Sequence, residues 1–438
     1  MNTSPLSKLS RRSFVQLSGT AASAAVLTGL GANRVLGATA GSDKLRVGVI
    51  GCGGRGVGAA RNCMDADPGV EIVSLGDLFP VQVEKARIAL QSPEKKKGEV
   101  VTSTRTANVP PDRCFSGFDC YKKVLATDVD LVILAAPPGF RPSHFAAAVE
   151  AGKHVFMEKP AAVDPVGCRA IIAAAKVAKE KKLGVVAGTQ RRHEPGYIEV
   201  MKRIQAGEMG ELVGGQCYWN GGGIWFREKK DWLAELSDFE WQCYNWYHWD
   251  WICGDHIVEQ HMHNIDIMNW AFGGPPAKFQ GMGGRQNRGN IPGNIWDHFA
   301  VEMEYPNGAR VLSMCRHAPK TATRVSERLV GTKGTSDCKG TIKGEKPFAY
   351  SGANPNPYVV EHEDLIKSIR SGNPLNEGEQ VAISTLTAIG GRMAAYTGRE
   401  LSWNWLLNSS KLDIFPKECK PGPGLFPPIP VPGVTELI

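Results

Sequence analysis

From residue 45 onward, short apolar runs alternate with stretches whose apolar side chains recur every three to four positions. Residues 45–51, 71–77, 130–136 and 154–158 are rich in Val, Ile, Leu and Ala, the pattern of strands buried on both faces. Between them, 57–66, 81–90 and 142–151 carry helical spacing, and 164–182 follows the last run as another helix. This alternation predicts an α/β, doubly wound parallel sheet with helices on both sides. Residues 184–190 read as one more strand that closes this first domain over 43–190. A polar insert, 91–113, contains Lys95-Lys96-Lys97 and Pro110-Pro111 and reads as a solvated loop.

Past Arg192 the character changes. Longer alternating runs at 212–219, 278–283, 298–305, 309–317 and 328–332 predict a large, mostly antiparallel sheet in a C-terminal α+β domain over 191–405. Asn307-Gly308 sits between two of them, where it forms a hairpin turn. Residues 359–371 and 377–397 read as helices, and a Pro-rich tail within 406–438 as extended surface chain. There is no internal repeat.

Composition adds little until the first forty residues are set apart. The chain has 438 residues, 42% apolar and 22% charged, an ordinary globular balance. Its formal charge of +7 includes Lys8, Arg11, Arg12 and Arg34, with no acid before residue 41; without those four cations the remainder carries +3. So small an excess gives no argument for nucleic acid or an anionic membrane as partner. Ser10-Arg11-Arg12-Ser13-Phe14-Val15-Gln16, a weakly apolar run to about Leu30 and Ala38-Thr39-Ala40 have the form of a twin-arginine signal peptide over 1–40, which predicts a periplasmic protein. Gln16, Ser18, Thr20, Ser23 and Thr28 break the run too often for a membrane anchor. All 11 cysteines fall in the mature part, without a C-x-x-C pair or zinc spacing, so no metal site is expected and most thiols are expected to be buried.

The first chemical motif lies at the end of the first strand. Gly51-Cys52-Gly53-Gly54-Arg55-Gly56 is a G-x-G-x-x-G between a predicted strand and a predicted helix. One glycine permits the tight turn, one lets a pyrophosphate approach the backbone, and one lets helix and strand pack closely. The helix N-terminus then offers free N–H groups and a positive dipole end to the phosphates. Asp77 ends the second strand about 20 residues past the glycines, where a carboxylate binds the adenosine ribose and repels a 2′-phosphate. The pair predicts NAD in preference to NADP.

Further on, Ala135-Ala136-Pro137 ends the third of these strands, His144 lies in the following helix, and Gly152-Lys153-His154-Val155-Phe156-Met157-Glu158-Lys159-Pro160 comes next. On these residues, from Leu45 to about Trp403, the chain resembles the glucose-fructose oxidoreductase, inositol dehydrogenase and MocA family. The resemblance implies a Rossmann domain followed by an open-faced sheet used for substrate binding and homo-oligomer contacts. It also implies that Pro137, Glu158 and Lys159 border the cofactor, with the E-K-P motif beside the nicotinamide. Ligands of open α/β sheets bind beyond the carboxyl ends of the strands, which agrees with that placement. Lys159 is then a cation that orients a reacting hydroxyl and stabilises alkoxide-like charge.

A second constellation runs from Gly254 to Trp270 and reads as one helix, with Glu259 and His263 four apart on one face and His256 and Asp266 near it. By the resemblance His263 is the proton acceptor and Glu259 its neighbour, where many relatives carry Asp. An imidazole with its usual pKa near 6.5 suits that work at neutral pH. His261 and His263 do not share a helix face and are not read as metal ligands. Gln190-Arg191-Arg192-His193-Glu194-Pro195-Gly196-Tyr197 resembles the family's crossing into the second domain, which makes Arg191, His193 and Tyr197 candidates for substrate contact; packing at the domain junction explains the arginines equally well. Seven of the chain's 11 tryptophans lie between Trp219 and Trp251. They serve either as flat faces for sugar C–H groups or as core and subunit packing.

The expected function is an NAD-dependent oxidoreductase acting on a sugar, polyol or glycoside hydroxyl. Export favours a cofactor held through many turnovers over an exchangeable one. Transient oxidation followed by elimination of an aglycone, giving net glycoside cleavage, is the alternative. A non-catalytic dinucleotide-binding protein is disfavoured by the joint presence of Lys159 and His263.

Overall fold

The computed structural model describes residues 44–96 and 99–438; the twin-arginine segment and its cleavage site lie outside the described residues. The first half is built from β1 (Leu45–Ile50), α1 (Gly54–Ala66), β2 (Val70–Asp77), α2 (Pro80–Leu90), β3 (Glu94–Lys96), β4 (Glu99–Ser103), β5 (Cys114–Ser116), α3 (Cys120–Leu125), β6 (Leu131–Leu134), α4 (Arg141–Glu150), β7 (His154–Met157), α5 (Pro165–Glu180) and β8 (Val185–Ala187). Six of these strands pair in the order β5-β2-β1-β6-β7-β8, all parallel. Alternate residues of β1, β6 and β7 go to opposite faces, and both faces are covered. Val47, Val49, Ile133 and Phe156 meet Ala59, Ala60 and Cys63 of α1, while Val132, Leu134, Val155 and Met157 share a core with Phe145 of α4 and Ile171 of α5. Burial on both sides is why these strands read as continuous apolar runs.

The 91–113 insert departs from the expected loop. β3 and β4 form a short antiparallel ladder, and the segment beyond is pinned to the domain: Val109 is fully buried and the N–H of Ala107 donates to the Leu90 carbonyl. A buried valine outweighs the polar composition around it.

The second half follows α6 (Pro195–Gln205) with β9 (Leu212–Gly221), α7 (Asp238–Tyr244), α8 (Asp250–Cys253), α9 (His256–Glu259), α10 (Met262–Phe272), β10 (Lys278–Gly284), β11 (His298–Glu304), β12 (Arg310–His317), β13 (Arg324–Gly331), β14 (Gly334–Ser336), β15 (Thr341–Gly344) and β16 (Phe348–Ala349). α11 (Pro357–Arg370), α12 (Gly378–Thr397), β17 (Leu401–Ser402) and α13 (Trp403–Asn408) complete it. The nine-stranded sheet has the order β16-β15-β14-β13-β9-β12-β11-β10-β17 and is antiparallel except where β9 runs parallel to β12. One face packs on α10 and α12. On the other, register aligns Met282, Ala300 and Met314 across three strands, and Met282 is 72% exposed.

Two features were not legible in the pattern. Residues 254–270 are two helices, because the chain opens at Gln260-His261: the N–H of His261 reaches back to the His256 carbonyl, and the buried His261 ring turns towards β12, where Nε2 lies 2.7 Å from Ser313 Oγ. Secondly, α11 and α12 return to the first sheet. Leu365 and Ile366 of α11 join the core of β1 and α1, and Val185 of β8 bridges to Asn376. The tail after α13 lacks regular structure, as expected, but it is fastened: Trp296 Nε1 donates to the Pro430 carbonyl and Gln242 exchanges hydrogen bonds with Leu425.

Candidate active site

The turn from β1 into α1 has the shape of a phosphate cradle. Gly51 has φ +97°, and a Cβ there would lie 2.3 Å from the Ala136 nitrogen; a Cβ on Gly56 would lie 1.8 Å from the Gly51 carbonyl oxygen. Those two glycines are required by close backbone approach. Gly53 and Gly54 are the opposite case, since a Cβ on either would meet nothing within 4 Å. The open space lies over an α1 N-terminus that has no side-chain cap, which leaves its amides and positive dipole end for an anion. The residues therefore fit a dinucleotide pyrophosphate.

Asp77 borders the same cavity from the end of β2. Its Oδ2 accepts from the Cys52 N–H at 2.7 Å and its Oδ1 from the Phe79 N–H at 2.9 Å. Burial pushes its carboxyl up while these amides oppose the shift. The cavity encloses about 780 Å³ and runs from Asp77 past Gly53, Arg55 and Pro137 to Lys159 and His263, within the range of small-molecule sites. Arg55 spans it, with Nε 2.7 Å from Glu158 Oε1 and the guanidinium 5.2 Å over the Tyr358 ring.

At the far end Lys159, just past β7, donates from Nζ to the Glu259 carbonyl oxygen at 2.6 Å and to Glu259 Oε1 at 3.0 Å. Both side chains are nearly buried, so the pair is shielded from solvent competition. Glu259 closes α9 and His263 sits in the first turn of α10; both border the cavity although the single helix expected to align them is broken. The His263 ring stacks on Trp219, centroids 5.8 Å apart at 22°. Burial first, then the nearby Lys159 and Arg191 charges, hold this imidazole well below its usual pKa. It is neutral at pH 7, and the expectation of an ordinary histidine near 6.5 is corrected accordingly.

Arg191, His193 and Tyr197 stand beside this cavity and do not border it. Arg191 pairs with Glu327, which also accepts from the Tyr197 hydroxyl at 3.1 Å. His193 Nδ1 lies 2.7 Å from Asp364 and Nε2 3.3 Å from Glu377; these carboxylates overcome burial and push its pKa up to about 10. Asp266 is likewise not in the cavity, being the buried partner of Arg192 at 2.8 Å. Both arginines, at the start of the second domain, are held by carboxylates of β13 and α10 within it.

The tryptophans divide. Trp219, Trp225 and Trp246 border the cavity, whereas Trp241, Trp249 and Trp251 are core residues. Sequence reasoning missed Arg141, Tyr358, Gln260 and Arg227 as cavity residues. Arg141 is buried, donates to the Leu134 carbonyl, and has its pKa lowered by burial to about 10. Tyr358 reaches Arg55 only because α11 packs on α1, a contact without a local signal.

The model of the oxidoreductase family with an NAD-binding Rossmann fold matches residues 45–186, and the GFO/IDH/MocA C-terminal domain matches 197–337. The chain belongs to the GFO/IDH/MocA family. The first half of this family member is accordingly an NAD-binding Rossmann domain, as the glycines and Asp77 predict. An inositol 2-dehydrogenase of Pseudomonas fluorescens is 30% identical over 176 residues, 40% of this chain and 45% of the relative; one of Burkholderia cenocepacia is 25% identical over 270 residues, 61% and 66%. The match to the first of these spans less than half of the relative's length. Among solved structures, GenD2 from gentamicin A biosynthesis in complex with NAD has TM-score 0.60 at 17% identity, covering 82% of this chain and 97% of that one. The aldose-aldose oxidoreductase from Caulobacter crescentus complexed with glycerol has TM-score 0.60 at 17% identity, covering 82% and 99%. At these identities they establish that the fold is shared.

Proposed function

We propose that this member of the family oxidises a hydroxyl-bearing carbon of a sugar, polyol or glycoside, with NAD held in the groove between Gly53 and Asp77. The observation that carries the reading is the convergence of Lys159, Glu259 and His263 at one end of a cavity whose other end is the glycine cradle. A dinucleotide bound there would supply the acceptor for two electrons and the carbon-bound hydrogen of the alcohol. The residues do the rest. Glu259 holds Lys159 by side chain and carbonyl, so the ammonium is fixed before substrate arrives, and a fixed charge stabilises a developing alkoxide without reorganisation. The neutral His263 imidazole is in the state that accepts the hydroxyl proton. Negative charge developing on the substrate oxygen offsets the cations and burial that disfavour its protonated form. Trp219, stacked on that ring, offers an apolar face to sugar C–H groups.

The reading includes export through residues 1–40, retention of the cofactor, and homo-oligomer formation through the open face of the nine-stranded sheet. Its test is addition of myo-inositol, glucose and simple glucosides to purified mature protein loaded with NAD, following the reduced-nicotinamide absorbance. At least one polyol or sugar is expected to raise it. A protein that binds NAD but is reduced by none of them overturns the catalytic reading in favour of a binding protein.

A further inference from the structure

The rim of the groove beyond Asp77 is packed by chain from the other half of the molecule. Phe79 belongs to a separate core with Leu233, Phe239, Trp241, Trp249 and Trp251, against which Phe118, Phe140 and Phe415 also pack. The rings interlock. Phe79 meets Tyr244 at 5.3 Å and 85° and Trp232 at 6.3 Å and 76°, while Trp232 and Tyr244 meet each other at 5.1 Å. Phe118 meets Phe239 at 5.7 Å, and Phe140 meets Phe415 of the tail at 5.0 Å.

On the cavity side of this cover stands Arg227. Its backbone is pinned: the N–H donates to Asn245 Oδ1 at 2.9 Å, and the carbonyl accepts from Trp241 Nε1 at 3.1 Å and Asn245 Nδ2 at 3.0 Å. Its guanidinium lies 5.8 Å over the Trp225 ring. The other cavity charges are matched: Glu158 by Arg55, Glu259 by Lys159, Asp77 by two amides, and Arg141 by carbonyls. Arg227 is exposed, and its Nη1 also lies 3.3 Å from the Phe226 carbonyl oxygen. Among the described residues it forms no ion pair, so a cation on a pinned stretch of backbone borders the cavity without a counter-charge.

We propose that the 225–251 segment is a clasp for the bound dinucleotide: its rings close the adenosine side of the groove, and Arg227 supplies the counter-charge for an anionic group, which we assign to the cofactor's phosphates. The clasp rests on the dinucleotide-binding part of the function proposed above. Release then requires Phe79 to part from Tyr244 and Trp232, an opening opposed by apolar burial and ring contacts, and the guanidinium–phosphate contact weakens with salt.

The test loads the full chain with NADH and follows loss of nicotinamide fluorescence on mixing with excess NAD, at low and high salt. Trp232→Ala removes a ring that leans on Phe79 and Tyr244 without bordering the cavity, and release is expected to be about 10-fold faster. Arg227→Gln is expected to speed release about 10-fold at low salt and to abolish the wild-type salt dependence, which Arg227→Lys restores in part. A merely structural part for these residues would lower the melting temperature and leave release unchanged; that result overturns the clasp. Normal release from Arg227→Gln, with KM raised only for carboxylate-bearing sugars such as glucuronate, overturns the assignment to phosphate and gives the cation to substrate. Wild-type protein that takes up no NADH overturns both this inference and the function on which it rests, whereas NADH uptake with uniform release rates overturns the clasp alone.

Discussion

Lys159 Nζ lies 3.0 Å from Glu259 Oε1 and 2.6 Å from the carbonyl oxygen of the same residue, a double contact between positions 100 apart in the chain. The carbonyl contact survives side-chain replacement, so Glu259→Gln is expected to keep Lys159 in place while removing the charge beside it. Lys159→Ala removes the cation itself. We expect kcat to fall about 10-fold in the first and about 100-fold or more in the second, with NAD affinity unchanged in both. Single-turnover reduction of bound NAD measures this, and wild-type rates in the lysine variant would exclude it from the chemistry.

His263→Ala is expected to lower kcat about 100-fold while leaving the dinucleotide bound. Because burial, Lys159 and Arg191 depress its pKa, this imidazole stays neutral through the range where an exposed histidine titrates. The wild-type kcat profile should therefore show no acid limb from His263 near pH 6.5. An acid limb centred there and absent in His263→Ala would contradict the assignment.

Stability should depend on pH through the buried histidines. Burial lowers His144, His256 and His261 to about 3 and His248 to about 4. Their unfolded forms take protons near 6.5 while the folded forms refuse them, so their contribution is complete above that value and falls as pH drops towards 4. His193, raised to about 10 by Asp364 and Glu377, works in the other direction: its contribution is complete below 6.5 and is lost as pH rises through 10. The melting temperature should peak near neutrality and fall more steeply on the acid side. Calorimetry across that range checks the shape, and a higher melting temperature at pH 5 than at pH 7 would refute it.

Asp77→Ala should weaken NAD binding about 10-fold and narrow the gap between NAD and NADP, because ribose hydrogen bonds and repulsion of a 2′-phosphate are lost together. The loop is affected as well, since the Cys52 and Phe79 amides lose their acceptor. Titration calorimetry on apo-protein decides this; wild-type preference for NADP would rule it out.

The Arg192–Asp266 pair should matter to stability and not to chemistry. Asp266 is buried and also accepts from Ser384 and Gln380, so Arg192→Ala leaves a carboxylate uncompensated and should cost about 3 kcal/mol. Urea denaturation measures the loss, with NAD affinity as the control.

The sequence by itself determined the parallel sheet, the glycine turn, Asp77 at the end of β2 and the E-K-P segment after β7. These features are local: strand burial dictates composition, and a turn where a Cβ would lie 2.3 Å from another backbone nitrogen admits only glycine. Tertiary structure decided the rest. Glu259 and His263 share a cavity through the packing of two short helices, not through a common helix face, because His261 turns inward to Ser313. His263 is neutral because of what surrounds it, and no spacing along the chain encodes burial. Arg191 and Tyr197 were drawn away by Glu327, a partner far along the chain. Tyr358 and Arg227 reach the cavity from α11 and the aromatic segment, which only the folded chain brings to the Rossmann groove. Contacts made across long loops leave composition unchanged, so a periodic pattern can report which face of an element is buried, but not what it is buried against.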